Sequence, residues 1–221
     1  MNRSQKAIPS SNRPVRVCVT GGIACGKNLI GAMLEEMGVP VIDADLVCHD
    51  LMKSGGGLYK RLVAAFGKTI LGADNEINRR AMGRRVFADA AKLKRLNRLV
   101  HPEVIRAIDA WIGAQAPGAG RRRMVAALVP LVYEAHWERA WDWIICVGAP
   151  MSVQIARLKS RGLTELEARV RIAAQWSVDE KMKRADYVVF NAGTPECARR
   201  QIARIFDDMM QHMEKKHGRK L

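Results

Sequence analysis

A glycine-rich stretch near the amino end constrains the fold of this chain more than any other feature. It reads Thr20-Gly-Gly-Ile-Ala-Cys-Gly-Lys27 and lies between a β-branched run, residues 15–20, and a segment with apolar residues at helical spacing. Gly21 and Gly26 stand six and one residues before Lys27, as the pattern G-x-x-x-x-G-K requires. The backbone N–H groups of such a turn, the following helix terminus and the lysine together bind phosphate. The order strand, turn, helix predicts a nucleotide-binding phosphate loop rather than an ordinary tight junction.

The residue after Lys27 departs from this pattern. Ser or Thr normally stands there, and its hydroxyl binds Mg²⁺, whereas this chain has Asn28. An amide oxygen is also a hard ligand of the kind that Mg²⁺ prefers. We therefore expect Mg²⁺ to accompany ATP and Asn28 to be a weak ligand of it.

Length and composition indicate one domain in a reducing compartment. The 221 residues suit a single domain, and no apolar run reaches the roughly 20 residues of a membrane span. Residues 1–13 are basic without the apolar region of a secretory signal, so we expect a disordered leader. The five cysteines are scattered and form no C-x-x-C pair, which favours reduced thiols and a cytoplasmic location. Cys25 lies in the loop, where a helix terminus can lower the pKa of a thiol. The alternative is a small residue that fits the turn.

The net charge of +15 indicates polyanionic partners. Aromatic residues do not alternate with the basic clusters, and no helix-turn-helix or RNA-binding pattern accompanies them. We therefore expect phosphate-rich small molecules and no specific nucleic acid, with much of the charge on solvated surface. The basic clusters are Arg79-Arg80, Arg84-Arg85, Arg121-Arg122-Arg123 and residues 215–220.

Short apolar segments alternate with helical stretches along the chain. Near-continuous apolar strands separated by helices are typical of a parallel sheet covered on both faces, which predicts a three-layer α/β fold. Ligands of such sheets bind at the carboxyl ends of the strands. The five predicted strands are residues 15–20, 39–43, 124–130, 143–147 and 187–190.

Two long helical blocks interrupt this alternation. Residues 46–116 are interrupted by glycine-rich turns, and we expect an inserted helical subdomain that holds an acceptor substrate. Residues 151–183 are rich in arginine and predict a lid that closes over phosphates. A last helix, from 194 to about 216, completes a single domain of residues 14–217, and residues 218–221 form a basic tail.

Three carboxylates and one histidine are candidates for chemistry. Asp43 and Asp45 follow the second strand, and a carboxylate there can orient an acceptor hydroxyl, accept its proton or hold Mg²⁺ through water. Either residue can instead cap the next helix. Glu134 follows the third strand and is expected to contact substrate or to form a surface ion pair. His101 precedes Pro102, and this pair predicts the start of a helix with His101 as its cap.

Arginines of the predicted lid are the candidates for phosphate binding. Arg157 and Arg161 are four residues apart, so on a helix they share one face. Arg169 and Arg171 belong to the next helical segment. A guanidinium pair can bind phosphate oxygens in a bidentate way, and a solvated helix face is the alternative.

Taken together, these segments resemble the dephospho-coenzyme A kinase family from about residue 15 to 198. Besides the loop, the resemblance rests on Val39-Pro-Val-Ile-Asp-Ala-Asp45, Leu99-Val-His-Pro102 and Val129-Pro-Leu-Val-Tyr-Glu134. Smaller matches are Phe66-Gly67, Ile77-Asn-Arg79, Val86-Phe87, Ala149-Pro150, residues 154–157, Arg161-Gly162, Gln175, Glu180-Lys181 and residues 185–193.

The resemblance implies a nucleoside-monophosphate-kinase-like fold and phosphoryl transfer from ATP to the ribose 3′-hydroxyl of dephospho-coenzyme A. It implies that Lys27 neutralises the moving phosphoryl group and that Asp43 acts on the hydroxyl. The implied ATP-binding residues are Gly22, Ile23, Ala24, Cys25, Gly26, Lys27, Asn28, Leu29, Arg157, Arg161, Asn191 and Gly193, and the implied substrate-binding residues are Asp45, His101, Glu134 and Gln175.

The chain departs from the family pattern at three places. Ala24-Cys25 replaces the usual Gly-Ser, Asn28 replaces the hydroxyl residue, and Asp74-Asn75 replaces an Asp-Gly turn. An alanine at a position that needs positive φ strains the backbone, whereas Asn tolerates that conformation. Two alternatives stay open: another P-loop kinase of a nucleotide or sugar, and a non-catalytic nucleotide-binding protein with an impaired metal site. The sequence leaves the oligomeric state undetermined.

Overall fold

A computed structural model describes residues 13–87, 89–115 and 124–217. The predicted leader up to residue 12, the arginine cluster 121–123 and the tail 218–221 lie outside these residues, as do residues 88 and 116–120. The structure divides into two compact units. One comprises the described residues up to Ile42 and from Gln115 onward, and the other is Asp43–Ala114.

The first unit contains a five-stranded sheet. Its strands are β1 (Val15–Gly21), β2 (Val41–Asp43), β3 (Met124–Leu128), β4 (Trp143–Gly148) and β5 (Tyr187–Phe190). Their order is β2-β3-β1-β4-β5, and the pairings of β1 with β3, β1 with β4 and β4 with β5 are parallel. This confirms the predicted α/β fold, although β2 begins later than predicted and β3 ends before Val129.

Five helices pack on this sheet or follow its strands. They are α1 (Lys27–Glu36), α6 (Met151–Lys159), α7 (Glu165–Ala173), α8 (Val178–Arg184) and α9 (Pro195–His217). The numbers α2 to α5 belong to the second unit. The core lies between sheet and helices, where Val17, Val19, Ile145 and Val147 of the central strands have no exposed surface. Strands buried on both faces explain the continuous apolar runs of the sequence.

The second unit is helical and has its own apolar cluster. Its helices are α2 (Ala44–Leu51), α3 (Gly57–Phe66), α4 (Arg79–Phe87) and α5 (Ala90–Ala114), with a 3₁₀ turn at Lys68–Ile70. Leu58, Leu62 and Ile70 are at most 3% exposed in this cluster. The role of residues 46–116 as a substrate subdomain stays a prediction.

The expectation that His101-Pro102 opens a helix is wrong. Pro102 lies inside α5, and His101 is a mid-helix residue rather than a cap. A proline there removes one backbone hydrogen bond, which costs about 3 kcal/mol. Apolar residues at helical spacing continue on both sides of it, with Val100 and Ile108 buried. Burial of this face keeps the helix continuous where local propensity would end it.

The expectation that Arg157 and Arg161 share a helix face is also wrong. Helix α6 ends at Lys159, and Gly162 has φ of 86°, a left-handed conformation that ends a helix. Arg161 therefore lies in the turn after α6, where its N–H donates to the carbonyl of Leu158 at 3.1 Å.

Candidate functional site

The phosphate loop joins β1 to α1 and takes its shape from positive φ angles. Gly21 has φ of 144° and Gly26 has φ of 100°. A Cβ atom on Gly26 would lie 2.2 Å from Nδ2 of Asn191, and one on Gly21 would lie 2.2 Å from the carbonyl oxygen of Val147. Conformation and space both require glycine at these two positions.

Ala24 also has a left-handed backbone, with φ of 59°. The departure from glycine at this position therefore falls where an alanine strains the chain, at a cost of about 1–2 kcal/mol. Burial of its methyl group offsets part of the strain, since Ala24 is 7% exposed and packs with Ile155, Leu158 and Ala168 of α6 and α7.

Lys27 is the first residue of α1, and its ammonium group turns back over the loop. Its Nζ donates to the carbonyls of Gly21 and Gly22, both at 3.2 Å. The first N–H groups of a helix have no acceptor within it, so the amides at Lys27, Asn28 and Leu29 are the ones that a phosphate can use. The ammonium group of Lys27 and these amides therefore belong to the same junction of loop and helix.

Arg157 and Asn191 fix the middle of the loop through its carbonyl groups. The guanidinium group of Arg157 donates to the carbonyls of Ala24 at 3.0 Å, Cys25 at 3.3 Å and Asn191 at 3.1 Å. Nδ2 of Asn191 donates to the carbonyl of Cys25 at 2.8 Å. The structure therefore brings two of the predicted ATP-binding side chains, Arg157 and Asn191, into contact with the loop itself.

Gln175 fixes the first half of the loop through an amide. The N–H of Ile23 donates to Oε1 of Gln175 at 3.0 Å. Gln175 lies between α7 and α8 and lines a cleft of about 400 Å³ with Gly22, Ile23, Gln154 and Trp176. Its role as a substrate ligand stays a prediction, and its amide oxygen accepts the hydrogen bond from the loop.

Of the two interpretations of Cys25, the one with a lowered pKa is wrong. Burial raises the pKa of this thiol, and the nearby charge of Lys27 only partly opposes the effect. Cys25 has no exposed surface, so loss of hydration outweighs the favourable helix terminus. The residue serves as a small group that fits the turn.

Glu134 forms an ion pair, though with a buried partner. Its Oε1 lies 2.8 Å from Nζ of Lys181, a residue with no exposed surface, and also accepts the N–H of Trp176 at 3.0 Å. Lys181 is a functional candidate that sequence reasoning missed. The sequence of α8 gives no signal that Lys181 is buried, because the helix has two further basic residues, Lys183 and Arg184, and both are exposed.

Asp43, Asp45 and His101 belong to the second unit. Asp43 is the N-cap of α2, and its Oδ1 accepts the N–H of Asp45 at 2.7 Å. Of the two predicted capping candidates it is therefore Asp43 that caps, and α2 begins at Ala44 rather than Leu46. The remaining predicted residue, Gly193, lies in the exposed turn before α9.

The oxygen ligands of this region fit a Mg²⁺ ion that binds together with a nucleotide. Within the described ranges, no three His, Cys, Asp or Glu side chains are grouped so as to hold an ion. Mg²⁺ bound by nucleotide phosphates needs only one or two protein oxygens. Asn28 is exposed on the first turn of α1 and offers one such oxygen.

Among the described residues, no helix is both long and apolar enough to cross a membrane.

Comparison with known proteins gives a consistent result. Residues 15–196 match the family model described as dephospho-CoA kinase. A relative so named from Geobacillus kaustophilus is 42% identical over 188 residues, which cover 85% of this chain and 92% of the relative. A Thermus thermophilus crystal structure aligns with a TM-score of 0.75 and 30% identity, over 89% of this chain and 98% of the other. The structure of a dephospho-CoA kinase from Campylobacter jejuni aligns with a TM-score of 0.64 over 89% and 98% of the two chains; at 22% identity it supports the fold alone.

Proposed function

The chain belongs to the dephospho-CoA kinase family, and we propose that Lys27 and Asp43 carry its reaction. That reaction is the ATP-dependent phosphorylation of dephospho-coenzyme A, with the ribose 3′-hydroxyl as the acceptor group. The observation that supports the proposal most strongly is the phosphate loop. It is held by Arg157, Gln175 and Asn191, which makes it a braced loop, and it ends in Lys27 and the first amides of α1.

Lys27 supplies positive charge where the phosphoryl group moves. Phosphoryl transfer spreads negative charge over the equatorial oxygens, so catalysis depends mainly on positioning and electrostatic stabilisation. In the proposed complex, the ammonium group leaves the carbonyls of Gly21 and Gly22 and binds phosphate oxygens, while the amides of α1 bind the others.

Asp43 orients the acceptor hydroxyl and accepts its proton. Its position as the last residue of β2 supports this role, since ligands of parallel sheets bind at the carboxyl ends of strands. The cap to Asp45 uses Oδ1, which leaves the second carboxylate oxygen for a substrate.

Mg²⁺ bound with ATP would neutralise phosphate charge. Asn28 would hold it through the amide oxygen, and Asp43 through a water molecule. A carboxamide is a weaker ligand arrangement than the usual hydroxyl, because its longer side chain must be ordered to reach the ion.

The other predicted residues have supporting roles in this proposal. Arg161, Leu29 and Gly193 would line the ATP site, and Asp45 and His101 the acceptor site.

All five cysteines lie within the described residues and form no disulfide with one another, which supports a reducing compartment, the cytoplasm.

A coupled ADP-release assay with Mg²⁺ and ATP tests the proposal. We expect turnover to depend on dephospho-coenzyme A and the product to carry the new phosphate at the 3′ position, which ³¹P NMR identifies. Turnover with a nucleoside monophosphate or sugar instead would support a different P-loop kinase. ATP binding without any turnover would support the non-catalytic alternative.

A further inference from the structure

Lys181 is the one lysine of the described residues whose side chain has no exposed surface. Removing an ammonium group from water costs several kcal/mol unless its hydrogen bonds and charge are satisfied. Its Nζ donates to Oε1 of Glu134 and to the carbonyl of Pro130, both at 2.8 Å. Neutral residues of similar volume are often as stable as such a buried pair, so stability alone does not account for it.

Glu134 in turn holds the chain between α7 and α8. The N–H of Trp176 donates to the same Oε1 at 3.0 Å. The indole stacks on Tyr133, with centroids 6.0 Å apart and an interplanar angle of 10°, and the guanidinium group of Arg184 lies 4.7 Å from its ring centroid. Backbone and side chain of Trp176 are therefore both fixed.

The residue before Trp176 reaches the phosphate loop. Oε1 of Gln175 accepts the N–H of Ile23. Because Gln175 is bonded to Trp176, fixing Trp176 also fixes the backbone from which the Gln175 side chain extends. The contact between Gln175 and Ile23 fixes the backbone of the loop at Ile23. A continuous path of contacts runs from Lys181 through Glu134 and Trp176 to Gln175 and the loop.

We propose that Lys181 is a positioning residue for phosphoryl transfer, which acts through Glu134 and Gln175 on the phosphate loop. The proposal rests on the proposed function, because its readout is the kinetics of that transfer. With no exposed surface, Lys181 acts on the loop and touches no substrate. Loss of its charge leaves the Glu134 carboxylate, 17% exposed, without its ionic partner, and the carboxylate then turns toward water and releases Trp176.

The experiment uses three variants: Lys181→Met, Glu134→Gln and the double variant that combines them. Each is compared with Lys183→Met. Lys183 lies on the same helix, is 71% exposed and pairs with Glu180, so Lys183→Met serves as the matched control. Steady-state kinetics give kcat and both KM values, calorimetry gives the Kd of ATP, and thermal unfolding gives the Tm of each variant.

We expect Lys181→Met to raise the KM and Kd of ATP about tenfold, with the KM of dephospho-coenzyme A changed less than twofold. Lys183→Met should keep all values. The double variant, Lys181→Met with Glu134→Gln, should recover at least threefold in the KM of ATP relative to Lys181→Met. The amide oxygen of the glutamine that it introduces still accepts the N–H of Trp176 and needs no counter-charge.

An unchanged KM and Kd of ATP in folded Lys181→Met would overturn the proposal, as would a double variant no better than the single one. A lowered Tm with wild-type kinetics would assign Lys181 a structural role and overturn it too. If Lys181→Met does not fold, the double variant Lys181→Met with Glu134→Ala decides, since it buries no unpaired charge but removes the acceptor of the Trp176 N–H; it should raise the Kd of ATP at least threefold, and an unchanged Kd would overturn the proposal. Failure of the proposed function itself is seen separately, as a wild-type protein that does not turn over dephospho-coenzyme A.

Discussion

The phosphate loop and Asp43 are held in different ways. The loop belongs to the unit that contains the sheet, and Asp43 begins the helical unit. The loop is fixed by Arg157, Gln175 and Asn191, which are more than 130 positions away in sequence. Asp43 is fixed by a cap to a residue two positions later. The loop is therefore preorganised by tertiary contacts, whereas the carboxylate is placed by local structure.

This difference separates two contributions to the rate. A preorganised loop lowers the reorganisation needed to bind phosphate, so its braces should affect mainly the KM of ATP. A locally capped carboxylate contributes through its chemistry, so its replacement should affect mainly kcat. Asp43→Asn and Arg157→Lys test this division, and Asn28→Ser and Ala24→Gly test two further residues of the loop and of α1; the first variant has the largest expected effect.

Asp43→Asn should lower kcat about a hundredfold or more, the range of general acid–base catalysis. Asn caps helices as well as Asp does, so the Tm should stay near that of the wild type. Kinetics and thermal unfolding of the same preparation check both statements. A variant with wild-type kcat would reduce Asp43 to a helix cap and remove one side of the comparison.

Arg157→Lys should raise the KM of ATP about tenfold while kcat changes little. An ammonium group lacks the planar fork that lets one guanidinium reach three carbonyls. Arg199→Lys is the matched control, since Arg199 is an exposed arginine that pairs with Glu36. A KM of ATP equal in both variants would show that the loop keeps its shape without this brace.

Asn28→Ser should raise kcat severalfold and lower the Mg²⁺ concentration for half-maximal rate. The hydroxyl of a serine is carried on a shorter side chain than the carboxamide of Asn28, so it gives the ion a better ordered ligand. Titration with Mg²⁺ at saturating ATP measures the effect. A kcat equal to or below that of the parent would contradict it.

Ala24→Gly should stabilise the fold by about 1 kcal/mol, because glycine adopts φ of 59° without strain. Ala64→Gly is the control of opposite sign, since Ala64 is exposed within α3 and glycine there costs about 1 kcal/mol. Urea unfolding measures both. Destabilisation by Ala24→Gly would mean that the buried methyl group outweighs the strain.

The sequence predicted several features that contiguous residues determine. The five strands, the loop and the turn at Asn75, whose φ is 61°, follow from local patterns. It did not predict that α5 continues through Pro102, because packing of an apolar face overrode a local stop signal. Nor did it predict the carbonyl acceptors of Arg157 or the burial of Lys181, since both depend on residues distant in sequence.

In the proposed reaction, Lys27 acts on a phosphoryl group held by the phosphate loop. The single-turnover rate of phosphoryl transfer from saturating ATP to dephospho-coenzyme A, measured for the wild type and for Lys27→Ala, tests this role. We predict a rate lower by about a hundredfold to a thousandfold in the variant, the range for loss of one stabilising donor. A rate within a few fold of the wild type, with ATP bound and the fold intact, would contradict the account.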